Sequence, residues 1–199
     1  MRIAAIALLI GFTICCFCFG CNGKKDEEES NVPSKYSARF YSDTRDLLIR
    51  YDSLTEAFVR WDSNAVQKNT IHLQDMLENF SGGDRQMDTA MGQSANEKMG
   101  LVKNGLKELM GANDLEAKRR KYQVLSNHFY NYLKSINYDG QAVYLQECPM
   151  AFNDDETAQW LSNKPQIRNP YLGLYHPKYG KGMLVCGETK DSLNYGGAK

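Results

Sequence analysis

The chain has 199 residues, and its 24 basic and 24 acidic side chains give a formal net charge of +0 at pH 7. A nucleic-acid-binding protein would carry a surplus of Lys and Arg, so this balance argues against a nucleic-acid partner. The length, apart from the N-terminal segments described next, suits one domain with a single hydrophobic core.

The first twenty residues have the layout of a lipoprotein signal peptide. Arg2 precedes an apolar run from Ile3 to Phe19, and the small Gly20 stands directly before Cys21. The run is at the short limit of a membrane span, which needs roughly 20 apolar residues. A retained anchor or a plainly secreted form would not need the Gly-Cys pair, whereas a lipoprotein signal does. We therefore predict cleavage after Gly20 and lipid attachment to Cys21.

This signal predicts a lipid-anchored protein of the cell envelope, on the periplasmic or surface face of the outer membrane of a Gram-negative bacterium. Residues 1–20 are then the signal peptide. Residues 21–35 are polar and acidic, so they form a disordered tether. Residues 36–195 remain as a single folded domain.

Four amphipathic helices with short connections follow the tether. Apolar residues recur at steps of three and four, which places them on one face of each helix. The first stripe contains Phe40, Leu47, Tyr51, Leu54, Phe58 and Trp61, and the second Val66, Leu73, Leu77 and Phe80. Ser94 and Glu97 form a capping box for the third helix, and Asn113 with Glu116 begins the fourth. The pattern predicts an antiparallel four-helix bundle.

The character of the chain changes after Gly140. Residues 141–146 alternate in polarity as a strand does, residues 156–162 have the composition of a short helix, and residues 183–188 are a second strand candidate. This region is too small to bury a core alone, so we expect it to pack on one end of the bundle. The predicted fold class is mainly α, a four-helix bundle with a small β-containing C-terminal cap (α+β).

Two cysteines, Cys148 and Cys186, remain as thiols when the signal is removed and Cys21 carries lipid. Met150 lies two residues after Cys148, and Met183 lies three residues before Cys186. Thiolate and thioether ligands favour Cu(I), and neighbouring strands would bring the four sulfurs together. In an oxidising envelope, however, two cysteines commonly form a disulfide, and methionines fill gaps in cores. The sequence leaves both interpretations open.

A series of short motifs crosses the C-terminal third of the chain: Cys148-Pro149-Met150, Trp160-Leu161-Ser162, Asn169-Pro170-Tyr171 and Met183 to Gly187. The series resembles the domain of unknown function 3347 family, and the similarity runs from about Tyr51 to Leu193. That family occurs as bacterial envelope domains and at the C-terminus of periplasmic adaptor subunits of copper and silver efflux pumps of the resistance-nodulation-division class. The resemblance implies metal handling.

The chain departs from the family pattern in two places. Glu147 stands where an aromatic residue often precedes the Cys-Pro-Met motif, and residues 174–181 are an insertion. The insertion carries His176, which is either a further metal ligand or a solvated surface residue. The chain is also too short for the other parts of an adaptor, so an efflux adaptor would be a separate partner.

Enzymatic motifs are absent from the sequence. It has no phosphate-binding glycine loop, nucleophile elbow or zinc-protease helix, and its Cys-x-x-Cys spacings fall within the predicted signal peptide and Cys21, so we expect no enzyme activity. The sequence predicts instead an envelope lipoprotein that binds Cu(I) for sequestration or delivery to an efflux system. The candidate ligands are Cys148, Met150, Met183 and Cys186, with His176 as a fifth. The alternative is a protein-interaction module, without metal, whose cap is closed by a Cys148–Cys186 disulfide.

Overall fold

The computed structural model describes residues 35–194, which form four helices and three strands. The elements are α1 (Ala38–Val59), α2 (Ser63–Asn79), α3 (Thr89–Gly111), α4 (Leu115–Ser135), β1 (Val143–Phe152), β2 (Glu156–Ser162) and β3 (Glu188–Leu193). The predicted fold class, mainly α with a small sheet, is confirmed. The predicted signal peptide, nearly all of the tether and Cys21 lie outside the described residues. Among residues 35–194, no helix combines the length and the apolar character that crossing a bilayer would require.

Each helix begins at a side chain that accepts a hydrogen bond from a free backbone N–H of the first turn. The four N-cap residues are Ser37, Asp62, Asp88 and Asp114. The capping box predicted at Ser94 and Glu97 is wrong, because the Asp88 carboxylate accepts from Met91 N at 2.8 Å and caps α3 six residues earlier. The N-cap of the fourth helix is Asp114, one residue after the predicted cap Asn113.

The predicted apolar stripes form the core of the bundle. In α1, the side chains of Leu47, Tyr51, Leu54 and Phe58 are buried. Trp61 lies beyond the end of this helix, in a turn with a φ of 55°. Successive helices pack directly against each other along the chain.

Helices α1 and α4 meet through side chains rather than by close approach of their backbones. The rings of Tyr51 and Tyr122 stack at 5.5 Å, and the Tyr122 hydroxyl shares a hydrogen bond of 2.6 Å with Thr55 Oγ1. The Tyr51 hydroxyl shares a 2.7 Å hydrogen bond with Ser126 Oγ and accepts from the backbone N–H of Leu161 in β2 at 3.1 Å. Tyr51 therefore joins α1, α4 and the sheet.

The three strands form an antiparallel sheet in the order β2-β1-β3. We expected this part at one end of the bundle, but it lies along the side of α4. Arg120, near the start of α4, pairs with Glu156 at 2.8 Å, and Lys134, near its end, pairs with Asp191 at 3.5 Å. The sheet thus spans the length of α4 and covers the side where α1 and α4 are held apart by tyrosines.

Two of the predicted elements of the cap are wrong. Residues 156–162, predicted as a helix, form β2, because a tight turn at Asn153 and Asp154, both with positive φ, returns the chain against β1. Pairing with a neighbouring strand overrides the weak helix preference of this segment. Residues 183–187, predicted as part of a strand, form a turn over 183–185 and irregular chain over 186–187, and β3 begins only at Glu188. Its side chains are almost all exposed, so it has no alternation of apolar residues that could mark it.

Candidate functional site

The structure brings the two cysteines together although 38 residues separate them in the sequence. Their Sγ atoms are 3.6 Å apart, both thiols are free, Cys148 is buried in β1, and Cys186 is half-buried. Two thiolates that share a tetrahedral ion with metal–sulfur bonds of about 2.3 Å would lie about 3.8 Å apart. A disulfide would need a separation of about 2.05 Å. At 3.6 Å the two sulfurs are in van der Waals contact, so sharing an ion needs a small increase in their separation and a disulfide needs a decrease of about 1.5 Å.

The position of Cys186 depends on the residues on either side of it. Its backbone N–H donates to Met183 O at 3.0 Å, which closes a tight turn. The next residue, Gly187, has a φ of +141°, and a Cβ there would lie 2.7 Å from Glu147 O and 3.1 Å from the Trp160 ring. Only glycine fits this approach to β1 without strain. The turn from Met183 to Cys186, followed by Gly187, thus places the Cys186 thiol against the Cys148 thiol.

Asn169 holds the loop that surrounds the thiol pair. Its side chain is fully buried and donates from Nδ2 to Cys186 O at 2.8 Å. Its Oδ1 accepts from the backbone N–H groups of Tyr171 at 2.8 Å and Leu172 at 3.0 Å. The same side chain also lowers the pKa of the Cys148 thiol. The sequence contained the Asn-Pro-Tyr motif but gave no role for it, and the structure shows Asn169 as the residue that holds the backbone of Cys186.

Cys148 is held mainly as a neutral thiol. Burial is the largest cause that raises its pKa, and the nearby Cys186 raises it further, while hydrogen bonds from the Met150 backbone and the Asn169 side chain lower it. The net result is a pKa of about 11. A thiol of this kind is a weak nucleophile at neutral pH. A metal ion that binds here must displace the proton, so its affinity would rise with pH.

Met150 and Met183 are half-buried and pack against the core. Within residues 35–194, no group of three or more His, Cys, Asp or Glu side chains is arranged to hold a metal ion. Structural zinc sites draw four ligands from those residue types. Met150 and Met183, the residues near the cysteines along the chain, carry thioethers, which are soft ligands as thiolates are.

His176 lies in an aromatic cluster beyond the C-terminal end of α1. Its ring is 5.0 Å from Trp61, edge to face, and 5.0 Å from Tyr179, stacked. Its Nδ1 accepts from the backbone N–H groups of Lys178 at 3.1 Å and Tyr179 at 3.3 Å. Burial, and then the charge of Arg119, lower the pKa of His176, which favours the neutral ring with an unprotonated Nδ1. Only its Nε2 is left to bind a ligand.

Arg119 is a buried cation that sequence reasoning missed. Its guanidinium lies 3.5 Å from the centre of the Trp61 ring and donates to Pro170 O at 3.3 Å and Phe58 O at 3.4 Å. Burial lowers its pKa to about 10. Since the Phe58 carbonyl belongs to the last turn of α1, a positive charge there is favourable. Arg119 thus ties α4 to the end of α1 and to the loop that follows Asn169.

Residues 47–141 match the model of a family described as protein of unknown function (DUF3347). The match covers just under half of the chain and confirms the family assignment made from the sequence. It ends before β1, so both cysteines and Asn169 lie outside the matched residues, and it says nothing of an efflux adaptor. Neither the curated proteins nor the solved structures gave a match.

Proposed function

From the membership of residues 47–141 in the DUF3347 family and the geometry of the cysteine pair, we propose that this protein is an envelope lipoprotein that binds Cu(I). The observation that carries the proposal is the 3.6 Å separation of Cys148 Sγ and Cys186 Sγ. Two thiols from distant parts of a chain meet inside a core of aromatic residues, at a spacing that one ion can bridge.

The chemistry of the donors favours copper in its reduced state. Thiolate and thioether sulfurs are soft ligands, and Cu(I) is the soft ion that prefers them. Met150 and Met183 lie near the two cysteines in the sequence and are only partly buried, so we propose their thioethers as the further ligands. Bound copper would supply the counter-charge that lets both thiols lose their protons. The role of the protein would be to bind the ion, not to catalyse a reaction.

Two protein groups offset part of the cost of a thiolate at Cys148. The Met150 backbone and the Asn169 side chain lower the pKa of this thiol, although burial still leaves it raised. Asn169 also holds the Cys186 backbone, so the position of that residue is set before an ion arrives.

The family resemblance suggests that the ion is sequestered or passed to a separate efflux adaptor, with the protein held at the membrane by lipid on Cys21. The anchor has its own test. Cys21→Ser should abolish incorporation of labelled palmitate in cells, because the thiol is the attachment atom. Label in the variant equal to that in the wild type would refute the lipoprotein proposal without affecting the metal site.

A second candidate function rests on the same distance. Closing the gap by about 1.5 Å would make a Cys148–Cys186 disulfide. The disulfide would then link the loop that precedes β3 to β1, and the protein would be an interaction module without metal. Loss of such a bridge commonly costs about 2–5 kcal/mol of stability.

A Cu(I) competition titration on thiol-counted protein separates the two functions. Reduced wild type should hold one equivalent against a Cu(I) chelator, while Cys148→Ser and Cys186→Ser should each lose most of this affinity. Met150→Leu and Met183→Leu should weaken binding less, and the control Met87→Leu should leave it unchanged. His176→Gln measures whether Nε2 of the insertion supplies a fifth ligand.

Two results would contradict copper binding at the cysteine pair. If fully reduced wild type competes no better than the double cysteine variant, metal binding at this site is refuted. Protein isolated from the envelope without free thiols, together with a loss of stability in both cysteine variants, would establish the disulfide function instead.

A further inference from the structure

A cavity lies next to Leu184 and Val185, in the loop that leads to Cys186, and neither cysteine lines it. It has a volume of about 450 Å³ and is enclosed by α1, the end of β2 and two loops. Ligand sites in proteins usually have volumes of about 300–1,000 Å³. Its lining includes four charged residues, Asp52, Glu56, Lys164 and Arg168, and the aliphatic residues Ile167, Leu184 and Val185.

Two opposite charges face the cavity without being paired. Among the described residues, no side chain makes a hydrogen bond or ion pair with the Asp52 carboxylate or the Lys164 ammonium. Asp52 is half-buried, and burial is the largest cause that raises its pKa, with Glu56 adding to the effect and Lys164 and Arg168 opposing it. A partly buried carboxylate without a partner is costly, and an incoming cation would relieve that cost.

The other two charged side chains of the cavity, Glu56 and Arg168, form an ion pair with each other. Arg168 donates to both oxygens of Glu56, at 2.8 and 2.7 Å, and Arg60 donates to the same carboxylate at 2.8 Å. Bidentate pairs of this kind are fixed in geometry. They form a rigid wall of the cavity, so Asp52 and Lys164 are the charges left for a ligand.

An apolar surface completes the cavity. Ile167 and Leu184 are half-buried, while Val185 is 70% exposed. A large aliphatic side chain this exposed gains free energy when a ligand covers it. The cavity therefore offers a carboxylate, an ammonium and a patch that would take an aliphatic side chain.

We propose that this cavity binds a small zwitterion, a short peptide with aliphatic side chains, whose N-terminal ammonium pairs with Asp52 and whose C-terminal carboxylate pairs with Lys164. The aliphatic side chains lie on Ile167, Leu184 and Val185. A free amino acid would leave much of the volume empty, whereas two or three residues fill it. The binding is independent of copper, because none of the named ligand groups is a cysteine or methionine.

The probe for this proposal is the dipeptide leucyl-leucine, titrated calorimetrically into the full-length metal-free protein. N-acetyl-leucyl-leucine lacks the cation, and leucyl-leucine amide lacks the anion. Each should bind at least about tenfold more weakly than the free dipeptide, because each loses one charge-assisted hydrogen-bonded contact.

Matched variants assign the two contacts. Asp52→Asn should weaken the free dipeptide about tenfold and leave the weak binding of the N-acetyl form unchanged. Lys164→Gln should also weaken the free dipeptide about tenfold and should leave the weak binding of leucyl-leucine amide unchanged. Asp46→Asn, on an exposed position of the same helix, and Lys68→Gln, on an exposed position of α2, should bind as the wild type does.

Thermal unfolding of each variant shows that it is folded before its affinity is compared. No heat of binding for the wild type at millimolar dipeptide overturns the proposal. Equal binding of the free and N-acetylated dipeptides overturns it as well, since Asp52 would then have no ammonium partner. Because copper plays no part in this titration, its result is separate from that of the Cu(I) competition.

Discussion

The removal of the Asn169 side chain should destabilise the protein more than most single substitutions do. Asn169→Ala leaves Cys186 O, Tyr171 N and Leu172 N without their partner, and all three are bonded at 2.8–3.0 Å. Each buried group that loses its only partner costs about 1–3 kcal/mol, and water entering the vacated space recovers part of this. We therefore expect a loss of about 3–5 kcal/mol, a large part of the stability of a typical domain.

Urea unfolding followed by circular dichroism measures this loss from the shift in midpoint. Asn163→Ala is the control, because Asn163 is exposed and lies in the same loop, and its effect should stay within about 0.5 kcal/mol. Alkylation of Cys186 should also become faster in Asn169→Ala, since the loop that carries this thiol is released. A loss below about 1 kcal/mol with unchanged alkylation would refute the role given to Asn169.

Three further substitutions test the core, the tyrosine network and the cysteine turn. Phe58→Ala should cost about 3–5 kcal/mol in urea unfolding, because the ring is fully buried, and a midpoint equal to that of the exposed control Ile49→Ala would contradict this. Burial raises the pKa of Tyr51 from 10.0 to about 12, so the unfolded chain loses this proton first and stability should fall as pH rises from about 10 to about 12. Tyr51→Phe should flatten that decline, and an unchanged slope would show that Tyr51 is not its source. Gly187→Ala should destabilise by about 1–3 kcal/mol and weaken Cu(I) binding, since the new Cβ would meet Glu147 O; wild-type values for both would show that the turn accepts other residues.

The helices could be predicted from the sequence because their signals are local. The spacing of Leu47, Tyr51, Leu54 and Phe58 places four apolar side chains on one face whatever the rest of the chain does, and all four are buried. The start of α3 was missed because two acceptable caps compete there. Asp88 and Ser94 both suit an N-cap, and the helix that begins after Asp88 is six residues longer and gains the corresponding backbone hydrogen bonds.

The cap could not be predicted in the same way, because its strands exist only through their partners. Residues 156–162 become β2 by pairing with β1, and the exposed β3 has no periodicity of its own. For the candidate site, the sequence by itself determined which residues carry sulfur: Cys148 and Cys186, each with a methionine near it. Only the tertiary structure decided that their sulfurs lie 3.6 Å apart, because that distance depends on strand register, on the close approach at Gly187 and on the hydrogen bonds of Asn169. Contacts between residues far apart in the chain leave no local pattern in the sequence. The sequence therefore shows which side chains carry sulfur, but it does not show that two of them lie next to each other.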